Sequence, residues 1–158
     1  MDGLRNYRSL FVVAALCVVS QGCASGGRAA TAEPVPNGWP VPFDVASVSS
    51  SFGAPRGNGR HLGLDLSAPK GTPVRATADG VVVFAGRSGD FGRLVIIDHG
   101  DGWETRYAHL KAIETREGRR VQRATVIGTV GKSGNASGYH LHYEVLRQGT
   151  AIDPGPYL

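Results

Sequence analysis

The chain has 158 residues, which is room for one ordinary domain. Its 17 Lys and Arg residues against 13 Asp and Glu give a formal net charge of +4, and the basic residues are scattered. That pattern argues against nucleic-acid binding, which needs a basic stripe or a recognised module, and leaves only a weak attraction to an anionic polymer. Abundant glycine, 23 residues, predicts frequent turns and few helices.

The first 22 residues are predicted to be an export signal. Arg5 and Arg8 make a basic start, and an apolar run of eleven residues, 10–20, follows them. The run is too short to span a bilayer, which takes about 20 apolar residues. A cleaved signal peptide is therefore expected rather than a lasting transmembrane helix.

The end of this segment resembles a bacterial lipoprotein processing site. Cys23 stands between small residues, although Ser20 and Gln21 depart from the usual motif. We expect Cys23 to be lipidated and to hold an exported protein at the periplasmic side of a bacterial membrane in the cell envelope. Ordinary signal cleavage within residues 24–32 is the alternative.

Residues 23–43 are predicted to be a flexible tether, because they are rich in Ala, Gly, Pro and Thr and poor in large apolar side chains. Residues 44–158 are predicted to form the folded domain. Cys17 and Cys23 both precede it, so no disulfide is available to the domain. Its stability must come from a packed core, helped by a metal.

The first strand of the domain carries two polar residues, His61 and Asp65, that could bind a metal ion or take part in catalysis. Leu62, Leu64 and Leu66 alternate with His61 and Asp65, which predicts a strand with one buried face. Four rises of a flat strand would separate His61 from Asp65 by about 13 Å, too far to share an ion. The chain must therefore bend between them if they act together, and Gly63 could supply that bend.

The middle of the chain predicts a β-hairpin. Residues 81–84 are expected to form a short strand buried on both faces. Residues 93–98 form the next strand, and Asp101-Gly102 is a tight-turn signal before residues 103–110. This arrangement places His109 at the end of the second hairpin strand.

The last third of the chain adds further strands. The polar segment 111–122 predicts a helical turn or a long loop, and strands are expected at 126–131 and 140–146. At least six short strands separated by Gly-rich turns predict an all-β, mainly antiparallel fold, a compact β-sheet or sandwich.

Two histidines dominate the last predicted strand. His140 and His142 share one face, roughly 6.6 Å apart along the backbone, although an isolated pair can be merely polar surface. With His61 and Asp65, either of them would complete two imidazoles and a carboxylate, the open tetrahedral set of catalytic zinc. Such a site suits amide hydrolysis, with His109 and the remaining strand histidine to orient water and stabilise an oxyanion.

Three motifs together resemble the lysostaphin-type (LytM) zinc endopeptidases, which cut peptidoglycan peptides. The motifs are His61-x-x-x-Asp65, Tyr107-Ala108-His109-Leu110 and His140-Leu141-His142-Tyr143-Glu144, and the resemblance covers about residues 45–158. It implies that His61, Asp65 and His142 ligate Zn²⁺. It also implies that His109 and His140 lie beside the metal, where they position water and stabilise the tetrahedral intermediate.

The resemblance implies a substrate groove as well. Tyr107 and Arg56 are expected to border the cleft, and Tyr139, where the family more often has a small residue or Pro, is expected to narrow it. Ala124 stands where the family often has Gly, in a turn remote from the motifs. His99 matches a common family position, and we expect it to be structural.

The resemblance leads to two functional hypotheses. The first is a zinc endopeptidase that hydrolyses peptidoglycan cross-links or stem peptides in cell-wall remodelling. The alternative is a non-catalytic peptidoglycan-binding regulator, or an activator of a partner cell-wall amidase. The retention of all five chemical positions favours the enzyme, because a pure binder has no use for an open zinc position.

Overall fold

The computed structural model describes residues 35–57 and 59–158. The predicted signal peptide and Cys23 therefore lie outside the described residues. The part described is almost entirely antiparallel β-structure, as predicted, and it contains no α-helix. No helix among these residues has the length and apolar character needed to span a membrane.

The described residues form short strands and two 3-10 helices, the latter at Gly89–Phe91 and Gly155–Tyr157. The strands are β1 (Ser47–Ser50), β2 (Pro55–Arg56), β3 (Gly59–Arg60), β4 (Leu64–Ser67), β5 (Pro73–Arg75), β6 (Gly80–Ser88), β7 (Gly92–Gly100), β8 (Trp103–Ala108), β9 (Ala112–Ile113), β10 (Arg120–Val121), β11 (Val126–Thr129), β12 (His140–Arg147) and β13 (Thr150–Ile152).

Three sheets organise these strands. The large sheet has the order β1-β4-β12-β8-β7-β6-β10, with β13 added beside β12. A smaller sheet has the order β5-β11-β9, and β2 and β3 form a two-stranded ribbon. Strand β12 lies between β4 and β8, so it receives backbone hydrogen bonds from both sides. The strand that carries both motif histidines is thus held by neighbours on both sides.

The two faces of β12 have different tasks, because side chains alternate along a strand. Leu141, Tyr143 and Val145 are buried in the core. The same core cluster contains Val74 from β5 and Ile127 from β11, so the small sheet contributes to covering this face. His140, His142 and Glu144 project from the opposite face, which becomes the floor of a cleft.

The predicted first strand is shorter than expected. It begins at Leu64, and Leu62 is 54% exposed rather than buried with Leu64 and Leu66. The chain bends at Gly63, as predicted. A Cβ at this position would lie 2.5 Å from the carbonyl oxygen of Tyr143, so only glycine lets the backbone approach β12 here. The bend carries His61 back toward Asp65.

One other local prediction was wrong, and another was right only in part. Strand β6 is not buried on both faces: Val82 is buried while Val83 is 42% exposed, because β6 lies near the edge of the sheet. The segment 111–122 contains no helical turn and is mostly loop, the second of the two predicted forms, with two short strands in it. Ala112–Ile113 pairs with β11, and Arg120–Val121 pairs with β6.

The start of the folded domain lies earlier than the predicted boundary at residue 44. Val41 is buried in the core, and Trp39 packs against it. The amide of Gly38 donates to the carbonyl oxygen of Tyr157 at 2.7 Å, and the Pro40 carbonyl accepts from the amide of Arg75 at 2.8 Å. The last residues of the predicted tether are therefore part of the domain.

The predicted hairpin is confirmed, and its two turn residues have the left-handed backbone conformation. Strands β7 and β8 pair in antiparallel fashion, and the turn residues Asp101 and Gly102 have φ values of 50° and 79°. Positive φ at both positions is the requirement of a type I′ turn, which Asp-Gly meets well. Ala124 also has positive φ, 67°, with no glycine to relieve it.

We predict that Ala124→Gly raises the free energy of unfolding by about 1 kcal/mol, because the left-handed conformation is sterically unfavourable for a residue that has a Cβ. Urea denaturation at fixed zinc concentration measures this change. Ala151→Gly is the matched control. Ala151 lies within β13, so the same change there should lower stability by roughly 0.5–1 kcal/mol. A variant at 124 that is no more stable than the parent would contradict the prediction.

His99 has a structural environment. Its two ring nitrogens lie 2.7 Å from the Asp79 carbonyl oxygen and 2.7 Å from Thr105 Oγ1. Burial lowers the pKa of His99, and this outweighs the hydrogen bond to Asp79 and the nearby carboxylates, which raise it. The folded protein therefore holds this ring neutral more firmly than the unfolded chain does.

We predict that the stability advantage of the parent over His99→Gln shrinks as the pH falls from about 7.5 to about 5. Below a pH of about 6.5 the histidine binds a proton in the unfolded chain but stays neutral in the folded protein. The free energy of unfolding therefore decreases as the pH is lowered. The slope is at most about 1.4 kcal/mol per pH unit. Urea denaturation of both proteins across this range measures it, and a pH-independent difference would contradict the prediction.

Candidate functional site

Three side chains converge on one point above the large sheet. Asp65 on β4 is directly opposite His142 on β12, so both project from the same face. His61, just before the bend, joins them. His142 Nδ1 lies 3.0 Å from His61 Nε2 and 2.9 Å from Asp65 Oδ1, and His61 Nε2 lies 3.1 Å from the same oxygen. All three side chains are buried.

The outer hydrogen bonds fix which nitrogen of each ring faces this point. His61 Nδ1–H donates to the carbonyl oxygen of Ser51 at 2.9 Å, which leaves Nε2 as the inner atom. His142 Nε2–H donates to Glu144 Oε1 at 2.9 Å, which leaves Nδ1 as the inner atom. In the neutral rings both inner nitrogens carry lone pairs, so they and the Asp65 oxygen are three acceptors in mutual contact.

The electrostatics agree with a site that attracts positive charge. Burial alone would raise the pKa of Asp65, but the hydrogen bond with His142, the charge of His61 and the hydrogen bond from Arg56 hold it well below its ordinary value. Burial alone would lower the pKa of His142, but hydrogen bonds with Asp65 and Glu144 raise it. Burial lowers the pKa of His61.

The donor set fits a metal ion. One atom from each of His61, Asp65 and His142 lies within 4.8 Å of the others. Tetrahedral zinc with bonds of about 2.0–2.1 Å separates its ligands by about 3.3 Å, close to the distances seen here. Three acceptors held together need a cation or a proton between them, and two imidazoles with one carboxylate are ligands that Zn²⁺ accepts.

Two further histidines stand beside this cluster. The His109 ring lies 4.8 Å from that of His140 and 5.9 Å from that of His142, centroid to centroid. His109 Nδ1–H donates to the Ser133 carbonyl oxygen at 2.8 Å, and His140 Nδ1–H donates to that of Gly138 at 3.1 Å. In each ring Nε2 is the nitrogen left free for the cleft.

These residues line a cavity of about 420 Å³, a volume that suits a small-molecule or peptide ligand. Arg56, a predicted groove residue, lies in its wall and donates from its guanidinium to Asp65 Oδ2 and to Ser50 Oγ. Arg56 therefore holds one carboxylate oxygen while the other faces the two histidines.

The predicted place of Tyr107 was wrong. Tyr107 is fully buried, and its hydroxyl contacts Thr77 and Thr105. In β8 the residue opposite His142 is Ala108, whereas Tyr107 is opposite Tyr143, so strand alternation directs it into the core. His109 has the same parity as Tyr107 but reaches the cleft because its φ of 60° turns the chain away from the strand. Tyr139 is 45% exposed and lines a neighbouring cavity instead.

Glu144 ends the third motif, but the sequence analysis assigns it no role, although it stands two residues after His142, where strand alternation returns to the same face. It is buried, and besides His142 it accepts a hydrogen bond from Arg106 at 3.3 Å. Arg106 in turn donates to Glu104 at 2.8 Å. A carboxylate that receives the outer N–H of a metal-binding histidine orients the ring and increases its basicity.

Comparison with known proteins identifies the family. The model of peptidase family M23 matches residues 59–154, so the chain belongs to that family. This agrees with the resemblance read from the three motifs. The matched range contains the three proposed metal ligands and the two further histidines beside them: His61, Asp65, His142, His109 and His140.

Relatives within the family carry different descriptions. DD-carboxypeptidase/endopeptidase Mpg of Neisseria meningitidis is 51% identical over 94 residues, 60% of this chain and 22% of Mpg. Murein hydrolase activator NlpD of Escherichia coli is 36% identical over 121 residues, 76% of this chain and 30% of NlpD. The chain thus spans less than a third of the length of these relatives.

Solved structures share the fold. A zinc-containing peptidase from Vibrio cholerae superposes with a TM-score of 0.71 at 31% identity, covering 75% of this chain and 38% of the other. The catalytic domain of lysostaphin from Staphylococcus simulans superposes with a TM-score of 0.67 at 30% identity, covering 71% of this chain and 91% of the other.

We predict that Glu144→Gln weakens zinc binding by about 10–100-fold, because the uncharged amide no longer fixes the His142 tautomer as firmly. Competition with a chromogenic chelator measures the affinity, and circular dichroism checks folding. Glu117→Gln, at an exposed carboxylate, is the matched control and should bind zinc like the parent. Equal affinities for the two variants would contradict the role of Glu144.

Proposed function

We propose that this chain is a zinc-dependent endopeptidase that hydrolyses peptide bonds in peptidoglycan cross-links or stem peptides. The observation that carries the proposal is the convergence of three lone-pair atoms, from His61, Asp65 and His142, in a cavity that two further histidines share. A structural metal site would be closed by a fourth protein ligand, whereas this one faces an open cleft.

In this proposal His61 Nε2, His142 Nδ1 and Asp65 Oδ1 hold Zn²⁺. When bound, zinc supplies Lewis-acid polarisation of the scissile carbonyl and acidifies the attacking water. The three protein ligands contribute a single negative charge, from Asp65, so the site retains net positive charge with the ion in place. That charge favours an oxyanion over a neutral ground state.

His109 is proposed as the residue that takes a proton from water and later gives it to the nitrogen of the departing amine. Burial lowers its pKa, so the ring is neutral near pH 7 and Nε2 has a lone pair. The hydrogen bond from Nδ1–H to the Ser133 carbonyl keeps that nitrogen aimed at the cleft. A positioned neutral imidazole is suited to general-base catalysis.

His140 is proposed to stabilise charge on the substrate. Its Nε2 lies 3.7 Å from Asp65 Oδ1, close to the proposed ion, and Nδ1–H is held by the Gly138 carbonyl. A hydrogen bond from His140 Nε2 to an oxygen that becomes negative during attack would stabilise that charge. Such a donor is worth about 3–4 kcal/mol in the best-studied hydrolases.

The substrate class is supported by the relatives. Mpg is described as a DD-carboxypeptidase/endopeptidase, and it is 51% identical to this chain over 94 residues. We propose peptidoglycan peptides as substrate, with Arg56 at the edge of the groove.

We also propose that the protein works in the cell envelope. Residues 1–22 would be a lipoprotein-type signal peptide, and Cys23 would carry the lipid that holds the protein on the periplasmic side of a bacterial membrane. The sequence up to residue 34 would link this anchor to the domain. The support is the basic start, the apolar run and the small residues around Cys23.

A second candidate is a regulator that activates a partner cell-wall hydrolase. The observation that favours it is the similarity to murein hydrolase activator NlpD over 76% of this chain. The open ligand set favours the enzyme, because an activator needs no metal with a free position.

The test of the enzyme is mass spectrometry of fragments released from peptidoglycan by the zinc-loaded protein, with and without a chelator. We expect new peptide ends that vanish when the chelator is present, and these ends identify the bond. A zinc-bound protein that releases nothing from several wall types, yet stimulates an added amidase, would replace the enzyme with the activator.

Two variants separate binding of the ion from catalysis. We predict that His142→Ala loses both zinc and hydrolysis, while His109→Ala retains zinc and loses at least about 100-fold in kcat. Zinc content by elemental analysis and initial rates measure the two effects. Hydrolysis by His142→Ala without zinc would refute the mechanism.

A further inference from the structure

A second cavity, of about 330 Å³, lies next to the proposed catalytic histidines. Its wall carries five cationic side chains and no acidic one. The cations are Lys70, Arg87, Arg93, Lys111 and Lys132. A formal charge of +5 in one cavity contrasts with the +4 of the whole chain. The remaining charges therefore nearly cancel, and the excess is local.

These five cations have no counter-ions among the described residues. None of them forms an ion pair within 4.0 Å, and none of their side chains makes a hydrogen bond to another described residue. Arg56 and Arg106, in contrast, are both paired with carboxylates. Clustered like charges repel each other, so their concentration in one concave site raises the local affinity for an anion.

The cavity is joined to the proposed active site through Ser133. The Ser133 carbonyl accepts the hydrogen bond from His109, while its hydroxyl accepts from the amide of Arg93 at 2.8 Å and donates to the Leu110 carbonyl at 2.9 Å. Ser133 and Leu110 both line the cavity. The wall behind His109 is thus also a wall of the basic cavity, and it is held by fixed hydrogen bonds.

Tyr139 connects the two sites from the other side. It lines the basic cavity and directly precedes His140. Its ring is 45% exposed, and Lys70 Nζ lies 5.8 Å from the ring centroid. An exposed aromatic ring beside cations offers both an apolar surface and a place for a charged group.

We propose that this basic cavity is a subsite that binds a free carboxylate of the substrate peptide while the scissile bond lies at the histidine cluster. The inference rests on the proposed function, since it assigns a substrate group to the same cleft. A carboxylate beside Lys and Arg gains charge-assisted hydrogen bonds, which are among the stronger polar contacts. The enzyme would accordingly favour peptides with an unblocked carboxyl group close to the cleaved bond.

The position of the cavity favours a peptide over an anionic membrane as the occupant. Four of the cations, Lys70, Arg87, Lys111 and Lys132, are exposed, but they lie around one cavity. Its wall residue Ser133 accepts a hydrogen bond from His109, whereas contact with a lipid surface needs no such link to the histidines. A peptide held across both sites would have its carboxyl group fixed by the binding energy of the second site.

The experiment uses two synthetic stem peptides that differ only in a free carboxyl group or its carboxamide. For the double variant Lys70→Gln/Lys132→Gln we expect about a tenfold rise in KM for the acid peptide, with kcat within twofold of the parent. Cleavage of the amide peptide should not change. The matched control is Arg116→Gln/Arg120→Gln, which removes two exposed cations outside both cavities and should behave like the parent.

A binding assay keeps this inference separate from the proposed function. Zinc-loaded His109→Ala is mixed with each labelled peptide, and fluorescence anisotropy measures the affinity without hydrolysis. We expect the acid peptide to bind at least about fivefold more tightly than the amide, and the preference to disappear when Lys70 and Lys132 are also replaced. If the parent cleaves neither peptide but this preference is found, the proposed function fails while the subsite stands.

Two outcomes would overturn the subsite. The first is equal binding and equal KM for the acid and amide peptides. The second is a Lys70→Gln/Lys132→Gln protein that retains the peptide preference but loses affinity for phosphatidylglycerol vesicles relative to the Arg116→Gln/Arg120→Gln control. That result would assign the cations to the membrane surface.

Discussion

The structure depends on one electrostatic constraint: three buried acceptor atoms, from His61, Asp65 and His142, lie about 3 Å apart. Such an arrangement repels itself unless a cation or a proton lies between the atoms. The fold tolerates it because each side chain is held from outside. Ser51 fixes one ring, Glu144 fixes the other, and the guanidinium of Arg56 binds the carboxylate. Without these outer bonds the side chains would turn away to water.

The backbone beneath the site supplies the rigidity that this constraint requires. Leu66 is opposite Leu141 in the register of β4 and β12, and both are fully buried. A slip of one residue would move these leucines to the cleft and His142 to the core, at a cost in free energy that fixes the register. Below them Thr77 joins the hydroxyl groups of Tyr107 and Tyr143, so the core satisfies its own polar atoms. The core and the site are thus opposite faces of one strand arrangement.

Charge is divided between the two cavities in a way that suits a peptide substrate. The histidine cavity is lined by three acidic residues, Asp65, Asp90 and Glu144, and the first and last of these form ion pairs with Arg56 and Arg106. The neighbouring cavity has cations alone. A peptide bond would approach the first and an acidic group the second. Ser133, in the wall of the second cavity, accepts a hydrogen bond from His109 of the first. Family membership leaves two activities open for this chain, and the ligand geometry together with this division of charge supports the hydrolase.

The sequence by itself determined the fold class, the hairpin at Asp101-Gly102 and the bend at Gly63, because alternation and turn chemistry are local properties. It also indicated His61, Asp65 and one of the two strand histidines, while the choice of His142 came from the resemblance of the motifs to a known family. It misplaced Tyr107, Leu62 and Val83, since burial depends on which strand lies opposite and how far it extends. It overlooked Glu144, whose partner His142 is near in sequence but whose counter-charge, Arg106, comes from another strand. It could not reveal the basic cavity, whose five cations are scattered from residue 70 to residue 132. Features that depend on neighbouring residues can be predicted from the sequence, whereas residues distant in sequence come together only once the sheet has formed.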